Sequence, residues 1–113
     1  MKVTQSALLN ASQAAEARKL GAGLARLRIA RGMKQDQTAL RAGLSRNTAY
    51  RLEKGDPGIA VGQILRYLEA IVPGKTLLDF LSATDPALAA LGAKEQRRRA
   101  RDLSKRELDE IDF

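Results

Sequence analysis

Cysteine and histidine are both absent from the 113 residues of this chain. Without cysteine there can be no disulfide, no thiolate nucleophile and no sulfur-based metal site. Without histidine the chain lacks the commonest general base and the commonest metal ligand, so hydrolytic triads and zinc enzymes are not expected. Asp36, Asp56 and Asp79 read as scattered carboxylates without partners, and no metal, cofactor or enzymatic activity is expected. Aromatic residues make up only 4% of the chain against 44% hydrophobic residues, which leaves Leu, Ile, Val and Ala to build a core of helical-bundle type. No apolar run approaches the roughly 18 residues of a membrane span. The patch Ala7-Leu8-Leu9 is too short for the apolar region of a signal peptide, so a soluble cytoplasmic protein is the expectation.

Positive charge is abundant. The net charge is +7 and the pI about 10.3, which favours an anionic partner. Residues 18–66 hold eleven Lys and Arg against three acids, and residues 94–106 hold seven against two. Residues 107–113 reverse the sign, with four acids and no base.

Periodicity places helices and little else. Asn10 or Ser12 can cap a first helix with apolar residues Ala17, Leu20, Leu24, Leu27 and Ile29, ending at Arg31-Gly32. Gly21 and Gly23 each cost roughly 1 kcal/mol relative to alanine, which favours a start near Leu20 and leaves residues 1–19 as an arm or helix extension. A second helix spans about Gln35 to Ala42, and a third about Arg46 to Lys54. The fourth runs from Val61 to Ile71, with Val61, Ile64, Leu65, Leu68 and Ile71 at helical spacing. Thr76 opens a fifth, rich in leucine. There is no internal repeat and no strand-like alternation, so the predicted fold is all-α.

The densest pattern lies between residues 24 and 56. Two short helices flank the break Ala42-Gly43-Leu44, and Ser45 caps the second. That helix turns Arg46, Asn47 and Arg51 to one face, and Ala49 and Leu52 to the other. This is the layout of a helix-turn-helix whose second helix enters the DNA major groove. Arg46 and Arg51 have the chemistry to read guanine and Asn47 to read adenine, while Thr48 and Tyr50 can meet phosphate or a thymine methyl. Tyr50 packing sideways is an equal alternative. Lys34 and Lys54 add sequence-independent attraction to phosphate. Glu53 reads as structural, pairing with Arg26 or Arg28.

The segment 20–72 resembles the Cro/repressor (Xre-type) helix-turn-helix family. The resemblance rests on Arg31-Gly32-Met33-Lys34-Gln35, the small Ala39, the turn Gly43-Leu44-Ser45 and the ending Leu52-Glu53-Lys54-Gly55. It implies a five-helix, lambda-repressor-like domain with a flexible charged C-terminal tail, and phosphate contacts from Gln35 and Ser45. Thr38 stands where leucine is usual and Leu40 where a charge is usual. The fourth helix opens Gly58-Ile59-Ala60 rather than with proline and a Ser or Thr cap.

The chain divides into four regions: an arm at 1–19, the helix-turn-helix at 20–72, a helical dimerisation segment at 73–92 and a charged, disordered tail at 93–113. Leu77, Leu78, Phe80 and Leu81 exceed what so small a core needs and supply the dimer seam. A single helix-turn-helix reads only a few base pairs, so a homodimeric, autoregulatory repressor on an inverted-repeat operator of double-stranded DNA is the leading expectation. The run from Gly58 to Arg66, with Asp85-Pro86 and the arginine-rich end, also resembles HipB-type antitoxins, which implies a kinase toxin as partner. A phage or mobile-element regulator fits as well. The tail is either a phosphate-binding arm or a solvated charge run, and Leu108, Ile111 and Phe113 amid acids read as a segment that folds on a partner.

Overall fold

The computed structural model describes residues 4–82 and 86–111, the side chains of the last helix as far as Leu103. Seven helices follow one another in this part: α1 (Gln5–Leu8), α2 (Ala11–Ala30), α3 (Gln35–Ala42), α4 (Arg46–Glu53), α5 (Val61–Ile71), α6 (Leu77–Leu81) and α7 (Pro86–Ile111). Among the described residues there is no strand, and the all-α expectation holds. No described helix is long and apolar enough to cross a membrane, and no described group of acidic side chains is arranged to hold a metal.

The core is built from Leu24 and Leu27 of α2, Ala39 and Ala42 of α3, Ala49 and Leu52 of α4, and Tyr67, Leu68 and Ile71 of α5. Small residues dominate the α3 and α4 contributions, and this lets the two short helices approach closely across their turn. Thr38 is buried in the same layer. Its hydroxyl donates to the Lys34 carbonyl oxygen at 2.9 Å, so the polar group that replaces the usual leucine is satisfied within its own helix. Leu40, on the opposite side of α3, is 82% exposed, as its place in the sequence implies.

The first long helix differs from the expectation. It begins at Ala11 rather than near Leu20, because Asn10 and Gln13 form a reciprocal capping box at 2.8 and 3.1 Å. The first of its two glycines is required by space, and the second faces the tip of a side chain. A Cβ on Gly21 would stand 2.5 Å from the Leu52 carbonyl oxygen, and one on Gly23 would stand 3.0 Å from the Phe80 ring. The backbone of α2 therefore rests directly on the C-terminal end of α4. Gly21→Ala is expected to destabilise the fold by about 1–3 kcal/mol through overpacking, despite alanine's higher helix propensity. Gly92→Ala is the matched control in α7, since nothing lies within 4 Å of its would-be Cβ. Urea unfolding of the two variants checks this: only the first should lose stability.

Three further differences concern which apolar residues face inward. Ile29 is 57% exposed, Val61 64% and Leu65 47%, whereas α5 fully buries Tyr67 beside Leu68. The spacing is helical in either case, but the buried stripe runs through Ile64, Tyr67, Leu68 and Ile71. In α6, Leu77 and Phe80 pack against the core, leaving Leu78 and Leu81 exposed at 79% and 61%.

The last helix is the largest departure. Residues 93–111 are helical where a disordered tail is expected, and α7 continues straight through Gly92. Pro86 suits a first helical position, and Ala, Leu, Lys, Glu, Gln and Arg fill most of the later turns; one glycine does not outweigh them. Leu88 packs against the core, and Arg26 Nη2 meets Glu95 Oε1 at 2.7 Å, tying α7 to α2. A 26-residue helix is about 39 Å long, and it helps give the molecule its 66 × 32 × 26 Å outline. The side chains of Lys105, Arg106, Leu108 and Ile111, and the whole of Asp85 and Phe113, lie outside the described residues.

Candidate nucleic-acid interface

The helix-turn-helix turn is set by backbone geometry. Gly43 ends α3 in the left-handed region at φ 69°, and the Leu44 amide returns to the Ala39 carbonyl oxygen at 2.9 Å. Only two residues later Ser45 caps α4. Its Oγ accepts from the Thr48 amide at 3.0 Å and donates to Thr48 Oγ1 at 2.9 Å. The other first-turn amides of α4 have no helical partner, a feature that suits a helix start to a phosphate oxygen.

From that start, one face of α4 is buried and one is not. Ala49 and Leu52 are in the core, whereas Arg46, Asn47, Tyr50 and Lys54 are exposed and Arg51 is half-exposed. Arg46 and Asn47 make no hydrogen bond or ion pair among the described residues, leaving their donors and acceptors available. Lys54 Nζ lies 5.4 Å from the centre of the Tyr50 ring, a cation–π contact that holds the ring along the helix. Thr48 is half-buried; its Oγ1 accepts from Ser45, so its own O–H remains a donor for a phosphate and its methyl is not engaged by the cap.

The orientation of α4 is fixed by a charged cluster beneath it. Glu53 accepts from Arg28 Nε at 2.6 Å and Nη2 at 2.9 Å, from Gln35 Nε2 at 2.9 Å and from the Tyr67 hydroxyl. Arg28 Nη1 also donates to the Met33 carbonyl oxygen at 2.8 Å. One carboxylate thus joins α2, the start of α3, α4 and α5. Of the two arginines that the sequence allows as its partner, Arg28 takes the role; Arg26 pairs with Glu95. Burial pushes the Glu53 carboxyl up, but the hydrogen bonds from Arg28, Tyr67 and Gln35 outweigh it and leave it below its ordinary value. Burial and the bond to Glu53 push the Tyr67 phenol up. No described buried side-chain polar atom lacks a partner.

This cluster bears on two of the site residues. Gln35 is half-buried with one N–H of its side-chain amide committed to Glu53, which leaves the second N–H and the backbone at the start of α3 for other contacts. Lys34, one residue earlier, is exposed at the N-terminal boundary of α3. Arg51 is not free either: its Nε meets Asp56 Oδ2 at 2.7 Å. Asp56 is therefore not a carboxylate without a partner. Sequence reasoning missed both Asp56 and Tyr67. Tyr67 lies three residues beyond Ile64 and four before Ile71, so the helical period does contain it. Asp56 sits beyond a helix-ending glycine, where periodicity carries no signal.

Residues 19–72 match the protein-family model described as a helix-turn-helix domain. The matched segment contains α3, the turn, α4 and α5 whole. No curated protein and no solved structure matches the chain.

Proposed function

On a chain whose residues 19–72 form a helix-turn-helix domain, a fold that supports a DNA-binding regulator, we propose a sequence-specific transcriptional repressor acting as a homodimer on an inverted repeat. The observation that carries this reading is the division of α4. Its buried face is locked to three other helices, and its outer face offers Arg46 and Asn47 unpaired, with Arg51 beside them. Such a helix start fits the major groove, where arginine matches guanine and asparagine matches adenine. Lys34, Gln35, Ser45 and Lys54 flank it as phosphate contacts that fix the docking register.

Dimerisation draws on Leu78 and Leu81. Both are exposed on α6, while Leu77 and Phe80 of the same segment close the core. Two copies present recognition helices to half-sites one helical turn, about 34–36 Å, apart. Control of the chain's own promoter is part of the same proposal; a toxin-binding role rests on the HipB-type resemblance alone, and no contact of the described residues supports it.

Footprinting on duplexes selected by the protein from a random pool tests this. Two protected half-sites one turn apart are expected, and Arg46→Ala or Asn47→Ala should each cost on the order of 1–3 kcal/mol on the selected site with little effect on random DNA. Leu78→Asp should leave a folded protein that protects the selected site only at much higher concentration. If both α4 substitutions leave affinity unchanged, α4 is not the reading helix.

A further inference from the structure

Arg51 and Asp56 form a unit that the base-reading role of α4 does not by itself explain. The Asp56 carboxylate is held at both oxygens: Oδ1 accepts from the Gly58 amide at 2.8 Å, and Oδ2 accepts from Arg51 Nε at 2.7 Å. Its backbone is held as well, for the Asp56 amide donates to the Arg51 carbonyl oxygen at 3.0 Å. Gly55, at φ 79°, turns the chain so that residue 56 comes back alongside the helix it has just left. The pair is partly open to solvent, with side-chain exposures of 43% for Arg51 and 33% for Asp56. Hydrogen bonding from Gly58 and then from Arg51 holds the Asp56 carboxyl below its usual range, so it is charged wherever the protein binds DNA.

An arginine side chain carries five N–H donors in one plane. Engaging Nε on a carboxylate leaves the donors of both terminal nitrogens, and these form the fork that matches O6 and N7 of guanine. A flexible arginine must be ordered when it binds; one already seated on a carboxylate has its plane and reach set beforehand. A carboxylate next to DNA is otherwise unfavourable, since it repels phosphate. Its presence at the edge of a basic reading face calls for a compensating use.

We propose that Asp56 is a specificity-determining positioning residue, which holds the Arg51 guanidinium in the orientation that reads one guanine of each half-site. This rests on α4 being the reading helix. Asp56 touches no base; it acts through Arg51. Sequence preference at that one position, rather than general affinity, is what it sets.

The test uses the full chain and a duplex selected by the wild-type protein from a random pool. Arg51→Ala, Asp56→Asn and the double variant are compared, with Arg46→Ala as a separate marker of groove reading. Asp56→Asn retains a side-chain oxygen for the Gly58 amide, so the turn is kept, and thermal unfolding confirms this. The expected result is a loss of about tenfold in affinity for the selected duplex in Asp56→Asn, of the size of one bidentate base contact. The loss should disappear in the Arg51→Ala background. Replacing the contacted guanine with 7-deazaguanine, which lacks the N7 acceptor, should also abolish it. Binding to random DNA should be unchanged or slightly tighter, because one negative charge has been removed. The proposal is overturned if Asp56→Asn costs the same with and without Arg51, which marks a turn-stabilising role. It is equally overturned if the substitution tightens binding to all duplexes alike, which marks Asp56 as only a mask on Arg51. Should Arg46→Ala weaken binding while Arg51→Ala does not, the reading helix stands and the Asp56 role falls. If neither arginine matters, the reading helix itself is wrong.

Discussion

Replacing Glu53 with alanine is expected to cost about 3–5 kcal/mol, because it strands the Arg28 guanidinium in a site built around a carboxylate. The Arg28 side chain is only 14% exposed and that of Glu53 only 7%, so water cannot take over the missing contacts cheaply. The Gln35 amide and the Tyr67 hydroxyl lose their acceptor at the same time. Small domains have about 5–15 kcal/mol in total, so this single change brings the protein near its unfolding threshold. Glu53→Gln keeps the shape and one acceptor and should lose less. Chemical denaturation of the two variants distinguishes them. A loss under about 1 kcal/mol in Glu53→Ala would mean that the cluster is peripheral to stability.

The same cluster sets the pH dependence. Glu53 has a folded value below its ordinary 4.5. Its stabilisation is therefore fully present above that value and is lost as pH falls through it toward the folded value. Tyr67 is shifted the other way, above its ordinary 10, so its share is complete below that value and fades as the pH rises toward the folded value. No histidine titrates between. Stability of the wild type should be flat across the neutral range and fall on the acid side, and Glu53→Gln should flatten that acid limb.

Removing the basic stripe of α7 is expected to have the largest effect on DNA affinity. Lys94, Arg97, Arg98 and Arg101 are all exposed and recur at three- and four-residue spacing, which aligns them along one helical face. Of the two acids in this stretch, Glu95 is engaged by Arg26, and Asp102, four residues after Arg98, offsets part of this charge. Each phosphate contact contributes about 0.9 to the slope of log K against log salt. Changing all four to glutamine should flatten that slope by up to about 3–4 units if each meets a phosphate, and weaken binding to every duplex at low salt. Base preference should not move, because phosphate contacts carry no sequence information. A salt titration on selected and random duplexes measures both quantities. An unchanged slope would reduce the stripe to a solubilising surface.

The turn and α4 are legible in the sequence because each depends on local rules. Gly43 at a left-handed position, Ser45 as a cap, and Ala49 with Leu52 three residues apart are all short-range signals that the fold retains. What the sequence conceals depends on contacts between distant segments. The cost of Gly21 in a helix is offset by the approach of Leu52, thirty-one residues later, and no local rule registers that. Val61 and Leu65 fit the helical period as well as Tyr67 does; the packing of Leu68 and Ile71 and the position of Glu53 favour the tyrosine's side of α5. The helical course of residues 93–111 is hidden differently. A dense run of arginine looks like a solvated tail, yet the same residues are good helix formers once Leu88 and Glu95 anchor the helix to its neighbour.

The outer face of α4 also says how this protein can be retargeted. Arg46 and Asn47 make no hydrogen bond or ion pair with the core, so a library varied at these two positions should keep its melting temperature. Position 51 is different. Its side chain is bound to a residue beyond the helix, so a new amino acid there leaves Asp56 without its cation and alters two residues' energetics at once. Selection for a new DNA sequence should therefore vary 46 and 47 in one library, but change 51 and 56 together or leave both alone.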